Sequence, residues 1–416
     1  MRGTITLGSV RFCEAPTEFA PFTRMSTFSA RCNASLVALV GLASTLGCAP
    51  ETTPLDAGVD ARSIGADAPF AVADAPAVDA NLPDAFVSPD AFTRCPDGAT
   101  PRILAPAMLQ EGVPLTVSGC RFGAPTHAAP LIWDDFEGGV QDEELSAHSM
   151  WRGFRPVGAF YRGDDAYAGN LAAGNMVTVA SASEFRTSYQ ETAPTNAMYL
   201  SYMLRADITG ARSGVFKLSR ITSNYRGEVP SVDHYNGPGS MNWAYQPAAG
   251  WSYTSFDNGF ENTQQTTGET IDAWHRVEMF IRASTPGVAD GAVWAAQNGV
   301  RVWTAENVMT RAAGMTYQYN SILLGLMLAN PVDDAHFELR IDDVMAVSSE
   351  ARVELGDAPR FEDCTLREIQ PYTAWTASSI QVTPRLARLD AAMPLYLFVI
   401  DPEGHASEGF AVRFMP

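Results

Sequence analysis

Lysine is almost missing from this chain. Lys217 is the only one among 28 basic residues, and 47 acidic residues outnumber these to leave a formal charge of -19. A chain so poor in clustered positive charge cannot displace the counterions of a phosphate backbone, which excludes nonspecific nucleic-acid binding. Attraction to an acidic polysaccharide would then need a local basic cleft. No two of the six cysteines stand at CxxC spacing, so a structural zinc site has no ligand set. Phosphate loop, dinucleotide fingerprint, HExxH and serine nucleophile elbow are all missing, and kinase, dehydrogenase and protease readings lose their support. No segment holds a helical period for long.

What is there reads as β-structure. Gly 33 and Pro 27 supply many turns, and 46% hydrophobic residues supply a core. The clearest stretch is residues 274–303. Over 274–282 the faces alternate: His275, Val277, Met279 and Ile281 on one side, Trp274, Arg276, Glu278, Phe280 and Arg282 on the other. Turn residues at 285–287 and 290–291 lead to a strand at 292–297, and Asn298-Gly299 predicts a type I′ hairpin returning along 300–304. Such a meander needs a facing sheet. Many further short strands follow the same pattern, the mark of an antiparallel sandwich.

The N-terminal quarter differs. From Met25 the sequence has a basic residue, Arg31, an apolar segment at 36–46 too short to span a bilayer comfortably, and small residues before Cys48. Residues 25–48 resemble a bacterial lipoprotein signal, although Thr45 stands where that family prefers Leu or Val. The resemblance implies that Cys48 is acylated, that the lipid anchors the chain to a membrane, and that the protein is exported to the outer membrane or cell surface. Residues 49–94 repeat Asp-Ala with scattered prolines and little bulk to bury. That composition predicts a disordered, extended tether.

Order is expected from Cys95. Residues 114–123, PLTVSGCRFG, resemble the opening of an immunoglobulin-like IPT/TIG domain, and the matching later strands occur only beyond residue 350, with Trp375 and the segment SSIQVTP among them; that segment spans 378–384, with the strand itself at 379–384. The expectation is one small sandwich split into 95–124 and 351–416, with 125–350 inserted in a loop whose ends lie close together. A serial arrangement is the alternative, with the N-terminal strands joining the central sheet. A Cys120–Cys364 disulfide would staple the split halves, and Cys95 is an equal candidate partner.

The span of about 132–347 resembles the concanavalin A-like lectin/glucanase jelly roll, and within it the polysaccharide lyase-like members. The residues that carry the likeness are Trp274 to Glu278, the turns at 285–287, 290–291 and 298–299, Trp294, and Ile341 to Val344. It implies an all-β sandwich that meets an extracellular or envelope polysaccharide. Such folds serve enzymes and binding modules alike. For lyase chemistry a uronate carboxylate must be neutralised and a proton removed. Lys217 or Arg220 with His234 or Tyr235 are the candidates, Lys217 sharing a strand face with Ser219 and Arg220 lying on the opposite face or the next turn. The lyase strand motifs Gln-x-His and Arg-x-Glu-x-Arg are missing, however, and so is the glucanase Glu-x-Asp-x-x-Glu. Residues 224–265 read as a long polar loop whose aromatics Trp243, Tyr245, Trp251 and Tyr253 are the candidates for stacking on sugars. Asp134, Asp135 and Glu137 near the start of the insertion and Asp342 and Asp343 near its end are candidates for a structural calcium, with turn capping and pairing to arginines as the alternative. The leading expectation is a non-catalytic, lipid-anchored carbohydrate-binding protein. A polysaccharide lyase and a structural or adhesive envelope protein are the alternatives.

Overall fold

The structure is a computed structural model that describes residues 95, 98, 100–154, 159–178, 185–209, 215–223, 240–246, 250–257, 260–266, 273–329 and 336–415. The signal at 25–48 with Cys48, and the tether at 49–94, lie outside the described residues.

Four antiparallel sheets account for nearly all of it, apart from one parallel edge pairing. A seven-stranded sheet runs in the order Phe260–Thr266, Gly250–Asp257, Ser240–Gln246, Val215–Ser223, Tyr319–Ala329, Phe185–Thr195, Arg152–Phe154. An eight-stranded sheet runs Val300–Val308, Gly291–Gln297, His275–Arg282, Ala197–Thr209, His336–Val347, Ala172–Thr178, Phe160–Arg162, with Ile132–Asp134 added beside the end of His336–Val347. Leu218, Ile221, Met241, Trp243 and Ile322 of the first sheet meet Leu200, Tyr202, Val277, Met279 and Ile281 of the second in one core. This is the facing pair of a jelly-roll sandwich.

The 274–303 meander forms as its alternation dictates. Asn298 and Gly299 both take positive φ, 47° and 75°, which closes the hairpin. Val277, Met279 and Ile281 enter the sandwich core. The opposite face of His275–Arg282 is buried as well, apart from Arg282, because a second pair of sheets covers it.

That second pair is smaller. A five-stranded sheet runs Met108–Gln110, Phe410–Met415, Leu395–Ile400, Arg352–Gly356, Arg367–Gln370, and a four-stranded one runs Arg102–Ala105, Leu115–Cys120, Ser379–Val382, Tyr372–Trp375. Chain from both ends of the described region pairs here: Val117 stands opposite Ile380, and Leu109 opposite Phe414. The Trp375 indole N–H donates to the Phe122 carbonyl at 3.1 Å across 253 residues of sequence. The N-terminal strands join these sheets and neither central one. Phe280, Trp294, Tyr199 and Met345 on the outside of the eight-stranded sheet share a core with Val353, Leu355, Leu397 and Val399 of the smaller pair. The eight-stranded sheet is thus covered on both faces.

The disulfide differs from the Cys120–Cys364 expectation. Cys95 bonds Cys120, with Cα atoms 5.9 Å apart, and Cys364 is a free thiol. Cys120 ends a strand of the four-stranded sheet, whereas Cys364 follows the short turn Phe361–Asp363 beside the five-stranded sheet, with its sulfur near the carbonyls of Ala358 and Arg360. A bridge needs Cα atoms within about 7 Å, and among the described cysteines Cys95 is the one bonded to Cys120.

Candidate functional site

The seven-stranded sheet lines the sandwich core with one side, and Arg220, Thr222, Ser240 and Asn242 on its other side are buried as well. Along Ser240–Gln246, Met241 and Trp243 point into the core and Asn242 points the other way. Arg220 stands opposite both Asn242 and Leu323 in the ladder, so it shares the outer face with Asn242. Its Nε–H donates to Asn242 Oδ1. Arg220 is fully buried and Asn242 nearly so. Beside them the Thr222 and Ser240 hydroxyls lie 3.2 Å apart. A guanidinium and an amide side by side on a rigid sheet form a donor array that suits a carboxylate.

Strict alternation misplaces Lys217. A bulge between Lys217 and Ser219 breaks the register with both neighbouring strands. Position 217 therefore stands opposite Ala244 and Met327, on the same face of the ladder as position 220, while Ser219 turns to the core and accepts the Tyr202 hydroxyl at 2.7 Å. One extra residue is enough to exchange faces. The Lys217 side chain is outside the described residues, as are His234 and Tyr235 altogether.

The aromatic loop also needs correction. Residues 240–266 form three strands, Ser240–Gln246, Gly250–Asp257 and Phe260–Thr266. Trp243 is no sugar platform: it is fully buried in the sandwich core. Trp243 pairs in register with Tyr253, and Tyr245 with Trp251, so these positions alternate with that of Asn242 rather than joining it. The side chains of Tyr245, Trp251 and Tyr253 are outside the described residues.

The two ends of the insertion do meet, since Asp134 stands opposite Val344. Their carboxylates, however, are engaged without a metal. Asp134 accepts the Phe136 N–H and the Trp151 indole, each at 2.8 Å. Glu137 accepts the N–H groups of Asn170 and Leu171 at 2.7 and 2.8 Å. Asp342 accepts those of Tyr167 and Asp343 at 2.9 and 2.8 Å. Asp343 pairs with Arg385 at 2.6 Å, and Asp135 adds its charge to the field of both. Burial raises the Asp342 carboxyl, and the Asp343 charge raises it further; burial also raises Asp343, although Arg385 pulls against it. Among the described residues no group of three or more His, Cys, Asp or Glu is placed to hold a metal ion. Arg385 is the cation that pairs in this cluster, and turn capping and arginine pairing both occur there.

Sequence reasoning overlooked a second charged cluster. Arg276 and Glu278 on the eight-stranded sheet meet Arg352 and Glu354 on the five-stranded one. Glu354 accepts Arg276 Nη2 at 2.8 Å, Arg352 Nε at 2.7 Å and Arg367 Nε at 3.1 Å. The Tyr199 hydroxyl donates to Glu278 at 2.8 Å. Burial alone would raise the Glu354 carboxyl, but Arg276, Arg352 and Arg367 hold it far below the usual range. The sequence carried a signal: Arg-Val-Glu occurs at 276–278 and again at 352–354, and i,i+2 spacing puts each Arg and Glu on one strand face.

No protein-family profile matches the chain, and no curated protein is similar to it. Solved structures with a similar fold include the alginate lyase Aly36B, 13% identical, covering 54% of this chain and 98% of its own at TM-score 0.41. An alginate lyase from the marine Aplysia kurodai is 10% identical, covering 53% and 99% at TM-score 0.41. An endo-β-1,4-glucuronan lyase from the fungus Trichoderma reesei is 12% identical, covering 50% and 94% at TM-score 0.37. Likenesses at this level carry no argument about activity.

Proposed function

We propose that this is an exported, lipid-anchored surface protein whose jelly roll binds a carboxylate-bearing polysaccharide without transforming it. What supports the reading is the Arg220–Asn242 pair on the side of the seven-stranded sheet turned away from the sandwich core, where both side chains are buried. A buried arginine at the middle of a sheet is costly to keep there, and its planar fork is suited to bidentate contact with a uronate carboxylate. Acylation at Cys48 would hold the chain to the membrane, and residues 49–94 would carry the folded part away from it. The smaller pair of sheets is read as an IPT/TIG-like module split by the jelly roll.

The same pair favours one second reading, a polysaccharide lyase. There Arg220 and Asn242 would stabilise the enolate-like intermediate, with Lys217 on the same face of the ladder and His234 or Tyr235 as base. One experiment separates the readings. The full chain is titrated calorimetrically with polyuronates and with neutral glucans, while ultraviolet absorbance is followed for unsaturated products. Binding of polyuronates alone, lost at least tenfold in Arg220→Gln and without product, supports the binding reading. Product formation that Arg220→Gln abolishes replaces it with the lyase. Neither binding nor product would leave a structural envelope protein.

A further inference from the structure

A cleft of about 250 Å³ opens where the jelly roll meets the smaller pair of sheets, away from the Arg220 face. Arg276, Arg367 and Arg388 line it, together with Trp274, Tyr167 and Asn298, and among the described residues no aspartate or glutamate lines it. In a chain of net charge -19 this is a local reversal of sign. Behind the wall, Arg276, Arg352 and Arg367 converge on Glu354 and Glu278. Arg276 also acts on the buried Glu368 carboxyl that accepts the Tyr167 hydroxyl, so the cluster behind the wall is close to balanced and the positive character of the cleft comes from the guanidinium groups that line it.

Arg388 adds the group that can reach a ligand. Its guanidinium lies 4.4 Å from the Tyr167 ring centroid, and its Nε donates to the Tyr167 carbonyl at 3.1 Å. These contacts fix the plane of the fork, and the neighbouring Glu368 carboxylate accepts the Arg388 backbone N–H at 3.4 Å. Trp274 packs edge-on to Tyr167 at 5.7 Å, and its indole N–H has no acceptor among the described residues. An aromatic wall with a fixed guanidinium fork beside it matches a sugar ring that bears an oxyanion. The ring packs against the indole and the anion takes the two terminal N–H groups of Arg388. The volume accommodates one ring rather than a chain.

We infer that this junction cleft is a binding site for an acidic monosaccharide unit, held through its oxyanion by Arg388 and through its ring by Trp274. The chemistry is shared by a uronic acid and by a phosphate- or sulfate-bearing sugar. It does not depend on the Arg220 face, and the two sites are separable by mutation.

Cys364 lines the cleft and is a free thiol, which supplies a direct reporter. The full chain is alkylated in the presence of galacturonate, glucose 6-phosphate, a sulfated monosaccharide, neutral glucose or inorganic phosphate. The Cys364 peptide is then quantified by mass spectrometry. An acidic sugar is expected to slow alkylation at least threefold with half-effect at about 1 mM, a normal affinity for one ring, and neutral glucose to have no effect. The relative protection by the three anionic sugars identifies which oxyanion the site takes. Arg388→Gln and Trp274→Leu should each abolish the protection, whereas Arg220→Gln should leave it intact. Arg388 is exposed, so its variant retains the fold. No protection by any acidic sugar would overturn the proposal. So would equal protection by inorganic phosphate and by the acidic sugars, or protection that survives Arg388→Gln.

Discussion

Replacing Glu354 by glutamine should cost this protein about 4 kcal/mol, a value that follows from how the carboxylate is used. Glu354 has no exposed surface. It receives one N–H from each of Arg276, Arg352 and Arg367, at 2.8, 2.7 and 3.1 Å. Glutamine keeps the volume and one oxygen but removes the charge and turns an N–H₂ toward a guanidinium. Arg276 and Arg352 then keep Glu278, at 3.4 and 3.9 Å, and Arg367 loses the carboxylate it pairs with. Breaking one buried ion pair costs roughly 3–5 kcal/mol because it strands a desolvated charge, and the remaining Glu278 offsets only part of that here. Against a usual total of about 5–15 kcal/mol, the loss is large. Urea denaturation should show a lower midpoint at unchanged slope. Because the network joins the two pairs of sheets, limited proteolysis should also cut the junction faster. The double variant Arg276→Met/Glu354→Gln should recover at least about 1.5 kcal/mol relative to additivity, since removing one arginine relieves the excess positive charge. The pH dependence has a definite sign. The folded Glu354 carboxyl is held below its ordinary value, so its contribution is fully present above the ordinary glutamate range and is lost as pH falls below it. The variant should therefore approach wild type only in acid. A penalty under about 1 kcal/mol at pH 7 would refute the reasoning, because it would mean that water already solvates the arginines.

Two other predictions concern buried groups near that junction and in the core. Burial lifts the Glu368 carboxyl from 4.5 to about 7 and the Asp343 charge pushes it further, against the Tyr167 hydroxyl that donates to it at 2.5 Å. A raised carboxyl binds more protons folded than unfolded, so wild-type stability should fall by about 3 kcal/mol as pH rises from about 4.5 to 7, and Glu368→Gln should flatten that slope in urea melts. Trp243→Ala should destabilise by about 3–5 kcal/mol through the cavity it leaves between the facing sheets, and calorimetry with polyuronates at low temperature should show binding retained, whereas a surface stacking role would predict the opposite pair of results.

The sequence by itself determined the element type and much of the layering. Alternation in 274–282 and the Asn298-Gly299 turn follow from local chemistry: side chains facing alternately into two different cores, positive φ and turn residues. What lay beyond it was long-range. The face assignment of Lys217 failed because a bulge has no local signature in Val215–Ser223, and one inserted residue exchanges the faces. Trp243 reads the same in sequence whether it meets a sugar or a core, and only the facing sheet decides. The partner of Cys120 depended on which backbone comes within 5.9 Å. The carboxylates at 134–137 and 342–343 were brought together by the pairing of the first strand with the last, and Arg385, distant in sequence, pairs there with Asp343. Likewise the two Arg-Val-Glu triplets gave each strand a charged face, and only the stacking of one sheet on another turned those faces toward each other. Local conformational preference acts within a few residues and is written in the chain; charge compensation acts through space, and only the tertiary structure decides it.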